Sequence, residues 1–146
     1  MLAINTYPQT YIDACRTRVE VQLADFQKLV AAKNRAGSKG PVFDKAFAAF
    51  ESAFFNNLVI VLEGYFVHRT RGVEKKDGNP LNEVRVMAAS MMLNGEVMMA
   101  DSSVKMDPEK SVLKLSVGDK IALNEQSFTL LFKAFFEDLQ TKYAEK

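Results

Sequence analysis

The sequence predicts a mainly α-helical protein: a four-helix antiparallel bundle, one domain over residues 1–146, with a short β-hairpin or extended segment between the third and fourth helices. Three observations predict it. Apolar side chains recur every three or four residues in four separate stretches, the connections between those stretches are short, and only residues 113–123 alternate apolar with polar.

The first stretch covers residues 7–35, where Ile12, Cys15, Val19, Leu23, Phe26 and Val30 form one stripe between Arg16, Glu20, Gln27 and Lys28. Thr6 and Gln9 have the spacing of a capping box, Pro8 suits a first turn, and Gly37 suits a helix end. Such a helix is on the order of 40 Å long. That is longer than the third helix can cover, so part of its stripe is expected to meet a second subunit.

In the second stretch Asp44 can cap a helix with the stripe Phe47, Phe50, Phe54, Leu58, Val61 and Tyr65. Its later half, LVIVLEGYFV, is apolar on nearly every side. The β-branched residues there would also suit a buried strand, but the continuous spacing from Phe47 favours a central helix. Gly72 and KKDGNP then break the chain, and Asn79 followed by Pro80 opens a third helix through Leu81, Val84, Met87 or Ala88, and Met91. Leu113, Leu115 and Val117 alternate with Lys114 and Ser116, and Gly118 and Asp119 separate them from a second run at 120–123, the pattern of a hairpin. Asn124 caps the last helix, whose apolar members are Phe128, Leu131, Phe132, Phe135, Phe136, Leu139 and Tyr143. The two aromatic-rich helices, second and last, are expected to meet at the centre.

Composition narrows the function classes. The 19 basic and 18 acidic groups leave a formal charge of +1 and are well mixed, which gives no electrostatic footprint for nucleic acid. The N-terminus has no secretory pattern, and residues 52–62, the longest uncharged apolar run, are too short to span a bilayer. The single Cys15 can form no internal disulfide and lies on an apolar stripe, so a buried, inert thiol and a reducing, cytoplasmic setting are expected.

The stretch FVHRTRGVEKKDGNPLNEVR, residues 66–85, holds the only histidine and three arginines. Spacing of four and three from Val61 through Tyr65 carries His68 onto the core-facing stripe while Arg69 and Arg71 turn away. A helix C-terminus favours a protonated imidazole, which is a structural reason for His68 to be there. The chemical alternative makes His68 and Glu83 the catalytic candidates, with Arg69, Arg71 and Arg85 binding an anionic ligand. Equally, Glu63, Glu74, Asp77 and Glu83 are close enough in sequence to pair with those arginines as a salt-bridge set. Arg69, Arg71, Lys75, Lys76 and Arg85 beside Tyr65 and Phe66 could contact a nucleic acid, but the neighbouring acids cancel most of the field.

Six of the seven methionines fall between Met87 and Met106, and Met87, Met91 and Met98 are the candidates for a partner surface, against ordinary core filling. No metal and no cofactor is assigned. One histidine and one cysteine exclude the usual zinc sets, and the calcium-like spacing of Asp77 and Asn79 fails at Leu81. Ser102 with Lys105 and Ser111 with Lys114 match only two letters of a serine-lysine nucleophile pattern. The reading favoured is a cytoplasmic helical protein that acts by self-association or partner binding, a homo-oligomer with no membrane contact. The alternative is a small-molecule protein or enzyme with a pocket near His68, Arg69, Arg71, Glu83 and Arg85.

Overall fold

A computed structural model of the chain describes residues 3–146. Among them the backbone forms five α-helices and no β-strand: α1 (Gln9–Ala36), α2 (Pro41–Tyr65), α3 (Arg71–Glu74), α4 (Pro80–Leu93) and α5 (Glu125–Tyr143). The mainly α-helical class holds, with α3 as a single extra turn.

Local chemistry sets the helix boundaries. Tyr7 lies in a parallel bridge with Ala144 and donates its N–H to the Tyr143 carbonyl at 2.6 Å, which keeps the chain extended through residue 7. Thr6 therefore caps nothing, and α1 starts after Pro8. It ends at Gly37, whose φ of 80° suits a residue without a Cβ. Helix α2 starts at Pro41, three residues ahead of Asp44, because a proline at the first helical position has no N–H to leave unpaired. Asp44 instead lies in the first turn, where a carboxylate meets the positive end of the helix dipole. The other two starts follow the sequence: the Asn79 side chain accepts from the Asn82 N–H at 2.9 Å, and Asn124 and Ser127 form a reciprocal capping box.

Side-chain hydrogen bonds fix helix directions. Gln9 donates to Gln140 at 2.9 Å and Gln27 to Glu125 at 2.8 Å, so α1 and α5 run in opposite senses. The Tyr11 hydroxyl donates to the Tyr65 carbonyl at 2.6 Å, which brings the start of α1 to the end of α2. At the centre α2 meets α5 through Phe55 and Phe128, 5.4 Å between centroids, and Phe66, just past the end of α2, meets Phe135 at 5.9 Å. Helix α4 packs on both of them, contributing Leu81, Val84 and Met87 to the same buried cluster.

Helix α5 begins level with Gln27 and with Glu51, whose carboxylate accepts the Glu125 N–H at 2.9 Å. Residues 28–36 of α1 and 41–50 of α2 project past that point as a two-helix arm roughly 15 Å long. This arm explains why the stripe read from the sequence of α2 is not its core face. Of Phe47, Phe50, Phe54, Leu58, Val61 and Tyr65 only Leu58 is buried, and the buried side is Phe55, Asn56, Leu58, Val59 and Leu62. Phe47 and Phe54 turn to Phe26 of α1, at 5.9 and 5.7 Å between centroids, while α4 and α5 cover the adjacent face.

The hairpin does not form between residues 113–117 and 120–123. Lys120 pairs with Val97 in one isolated antiparallel bridge, supported by Met98 N–H to Asp119 at 2.8 Å and Ile121 N–H to Glu96 at 2.7 Å. Lys114, at φ 57°, interrupts the extended run, and the N–H groups just before it are taken by a side chain of α4. The same long connection returns over the turn after α3, where Lys105 donates its N–H to the Lys76 carbonyl at 2.8 Å. A Cβ on Gly78 would overlap the Lys105 carbonyl, and its φ of +84° is in the left-handed region, so only glycine fits there.

Candidate functional site

The segment after α2 departs from the helical phase that placed His68 inside. The helix stops at Tyr65, and the chain turns at Phe66, φ −129°, whose N–H reaches back to Glu63. The turn sends Phe66 and Arg69 into the core and leaves Val67 and His68 exposed, the reverse of the sequence expectation. Ile4 pairs alongside: its N–H donates to the His68 carbonyl at 2.8 Å, and its carbonyl accepts from the Thr70 N–H at 2.9 Å. The Tyr143 hydroxyl closes the other side by donating to the Thr70 carbonyl at 2.6 Å.

The side chain of Arg69, a residue 3% exposed, makes four hydrogen bonds. Its Nε–H donates to Glu74 at 2.7 Å, one Nη to the Phe66 carbonyl at 3.1 Å, and the other to Glu63 at 2.9 Å and the Leu81 carbonyl at 3.1 Å. Arg85 meets the same two acids, with a two-pronged contact to the Glu74 carboxylate and an approach of 3.4 Å to Glu63. Two guanidiniums and two carboxyl groups thus close a ring drawn from α2, α3, α4 and the turn between α2 and α3, in which burial pushes the Glu63 carboxyl up against the pull of Arg69 and Arg85. Asn82 donates to Glu74 at 2.6 Å, which completes that carboxylate's partners. Burial pushes the Glu74 carboxyl up, but the Arg85 hydrogen bond and the charges of Arg69 and Arg85 outweigh it and hold the group below the ordinary glutamate range.

The remaining sequence candidates are dispersed. Glu83 lies on α4 and faces the long connection: its two oxygens accept the N–H groups of Val112 and Leu113 at 2.8 and 2.9 Å. Burial raises its pKa, and those two backbone bonds oppose the rise. Arg71 is exposed on α3, and Asn79 is used as a helix cap with a further bond to Asp77 at 2.8 Å. Met87 and Met98 are buried and fill the core, at 0% and 3% exposure, and only Met91 of the three partner candidates reaches the surface, at the margin of a recess with Ala53, Asn57 and Ile60. Cys15 is buried, and burial pushes its thiol up, as expected for an inert core cysteine.

A second locus, missed by the sequence reading as a surface, is the outward side of α2. Val42, Ala46, Ala49, Phe50, Ala53 and Asn57 are all exposed, Val42 at 84% and Phe50 at 49%. Beside Phe50 and Leu29 a groove of about 190 Å³ runs between α1 and α2, floored by Phe26 and Phe54 and edged by Gln22 and Asp25. By length and composition α2 could cross a membrane, and only 28% of its most apolar stretch is buried in the fold. Its inner side is pinned, however, by Asn56, which donates to Glu96 and the Ile121 carbonyl and accepts from Leu123. Helices α1, α4 and α5 cover the rest of α2, and this outward side is left open.

Compared with known proteins, the chain matches no family model, no curated protein and no solved structure.

Proposed function

We propose that this chain is a cytoplasmic, non-enzymatic protein that works by association, with α1, α2, α4 and α5 acting as an antiparallel four-helix bundle and the projecting arm of α1 and α2 as its contact surface. One observation carries this reading: the exposed residues Val42, Ala46, Ala49, Phe50, Ala53 and Asn57 form an uncharged strip along α2 that is continuous with the groove at Leu29 and Phe50. Leaving half of one phenylalanine in water forgoes on the order of 1 kcal/mol of burial, and the same forfeit recurs at Leu29 and Val42. Monomers rarely expose so contiguous an apolar strip without a partner for it. The ring of Arg69, Glu63, Arg85 and Glu74 supports the reading from the other side, because arginine donors held by buried carboxylates are not offered to an anionic ligand.

Photo-cross-linking tests it. With p-benzoylphenylalanine in place of Phe50, irradiation in cells should give a discrete higher-mass adduct, and the same group in place of Lys110 should not. Absence of any adduct from position 50 would overturn the reading.

A further inference from the structure

We infer that the far end of the two-helix arm docks on an anionic lipid surface, with Val42 and Phe43 entering the headgroup boundary and Lys33, Arg35, Lys39 and Lys45 meeting lipid phosphates. The inference concerns the end of the arm and goes beyond the association reading, which concerns its uncharged side. It departs from the sequence expectation of no membrane contact, which rested on the lack of a spanning run; a docked end spans nothing.

Charge is the first support. The basic and acidic groups that balance over the whole chain are unbalanced here. Residues 28–45 hold five of the 19 basic groups, Lys28, Lys33, Arg35, Lys39 and Lys45, and one of the 18 acidic groups, Asp44, a net of +4. With +1 for the whole chain the remainder carries −3, so an anionic surface attracts this end and repels the rest. Lys33 and Arg35 also offset the carbonyl end of α1, and Lys33 lies over the Phe47 ring at 4.8 Å. Lys39, in the loop, and Lys45, near the start of α2, gain nothing from a helix dipole. Among the described residues none of Lys33, Arg35, Lys39 and Lys45 is in an ion pair, in contrast to Arg69 and Arg85.

The second support is apolar exposure at the same end. Val42 is 84% exposed and Phe43 39%. A recess of about 280 Å³ beside them is lined by Lys33, Ser38, Lys39 and Phe43, with Asp44 as its one acid, so a headgroup phosphate there meets two ammonium groups and one carboxylate. Elements that lie at a membrane boundary pair Lys and Arg with apolar side chains that enter it. A nucleic acid would meet the same cations and leave Val42 in water.

Flotation of the purified full chain with vesicles tests it. Binding to phosphatidylcholine holding about 30% phosphatidylserine, at roughly 0.1 M salt, should exceed binding to phosphatidylcholine alone at least about tenfold, since each cation near an anionic surface strengthens binding about fivefold. Lys39→Glu with Lys45→Glu should lose at least about a hundredfold, and Val42→Asp about tenfold. Lys110→Glu with Lys133→Glu makes the same change of net charge on the long connection and α5, and should stay within about threefold of the native chain. All five positions are exposed, so the helical circular dichroism signal should not change. The chain has no tryptophan, and the emission of Val42→Trp should move to the blue on phosphatidylserine vesicles. Equal binding to the two kinds of vesicle, equal loss in the two double variants, or Val42→Trp emission unmoved on bound vesicles would each overturn the inference. So would a chain that ignores phosphatidylserine vesicles and retards duplex DNA in a mobility assay. A chain that no vesicle binds but that still gives the position-50 adduct loses the lipid surface and keeps the association reading; a chain that floats as described without that adduct does the reverse.

Discussion

Arg69 and Glu74 form an ion pair of 2.7 Å in which neither side chain is reached by solvent, at 0% and 1% exposure. Two charges so placed are stable together and costly apart. Removing one partner leaves a buried, uncompensated charge, so Arg69→Ala or Glu74→Ala should each cost about 3–5 kcal/mol. The double replacement Arg69→Ala with Glu74→Ala should cost less than the two single changes added together. Urea unfolding of the four proteins completes the cycle, and strict additivity would show that the pair is not coupled.

Acid stability should follow from opposed groups: burial raises Glu63 as it does Glu83, and hydrogen bonds from Asn79 and Ser103 lower Asp77 and Asp101 as Arg85 lowers Glu74. Glu74 is held below its ordinary value of 4.5 in the fold, so the unfolded chain takes up that proton first and stability falls as pH drops from about 4.5 through the folded value. Glu83 is raised by burial, so the folded chain binds that proton more readily and stability rises as pH falls from the folded value toward 4.5. Thermal unfolding against pH should therefore turn over near 4.5, with the acid limb flattened in Glu74→Gln. An acid limb of undiminished steepness in that variant would rule out Glu74 as its source.

The carboxylate of Glu83 binds the backbone of the long connection at Val112 and Leu113. Glu83→Ala leaves two N–H groups without their acceptor and should cost about 2–3 kcal/mol. The effect should be local as well as global. Native-state hydrogen exchange should show the amides of Val112 and Leu113 exchanging much faster than those of α5, and equal acceleration throughout would contradict a local tether.

Tyr7 is 4% exposed, and its hydroxyl has no hydrogen-bond partner among the described residues. Its ring still packs on Phe66, edge-on at 5.0 Å, and on Tyr11 at 5.6 Å. Tyr7→Phe keeps the packing and removes the desolvated hydroxyl, so it should stabilise the protein by about 1 kcal/mol. A loss of that size in chemical denaturation would mean that the hydroxyl is satisfied.

These relationships were unevenly legible in the sequence. Caps and breakers were read well at Gly37, Asn79 and Asn124, because each acts within a few residues. The Tyr7 bridge to Ala144 and the Glu83 contact to Val112 join distant positions, and they displaced the predicted start of α1 and the predicted hairpin. His68 was misplaced for a simple reason: helical phase was extended past Tyr65 into a turn. The acids able to pair with Arg69 and Arg85 were visible in the sequence, but their burial was not, because it depends on α4 and on the Ile4 and Tyr143 segments closing over the turn. For the outward side of α2 a signal was present. The charge-free alanines at 46, 49 and 53 fall opposite the core residues 55, 59 and 62, and following the phenylalanine spacing alone hid them.

Whether the exposed side of α2 is covered in the working protein is tested most directly by the photoreactive group at position 50. The account predicts a discrete higher-mass adduct from that position in cells and none from position 110. Irradiation that gives no adduct from position 50 would contradict it.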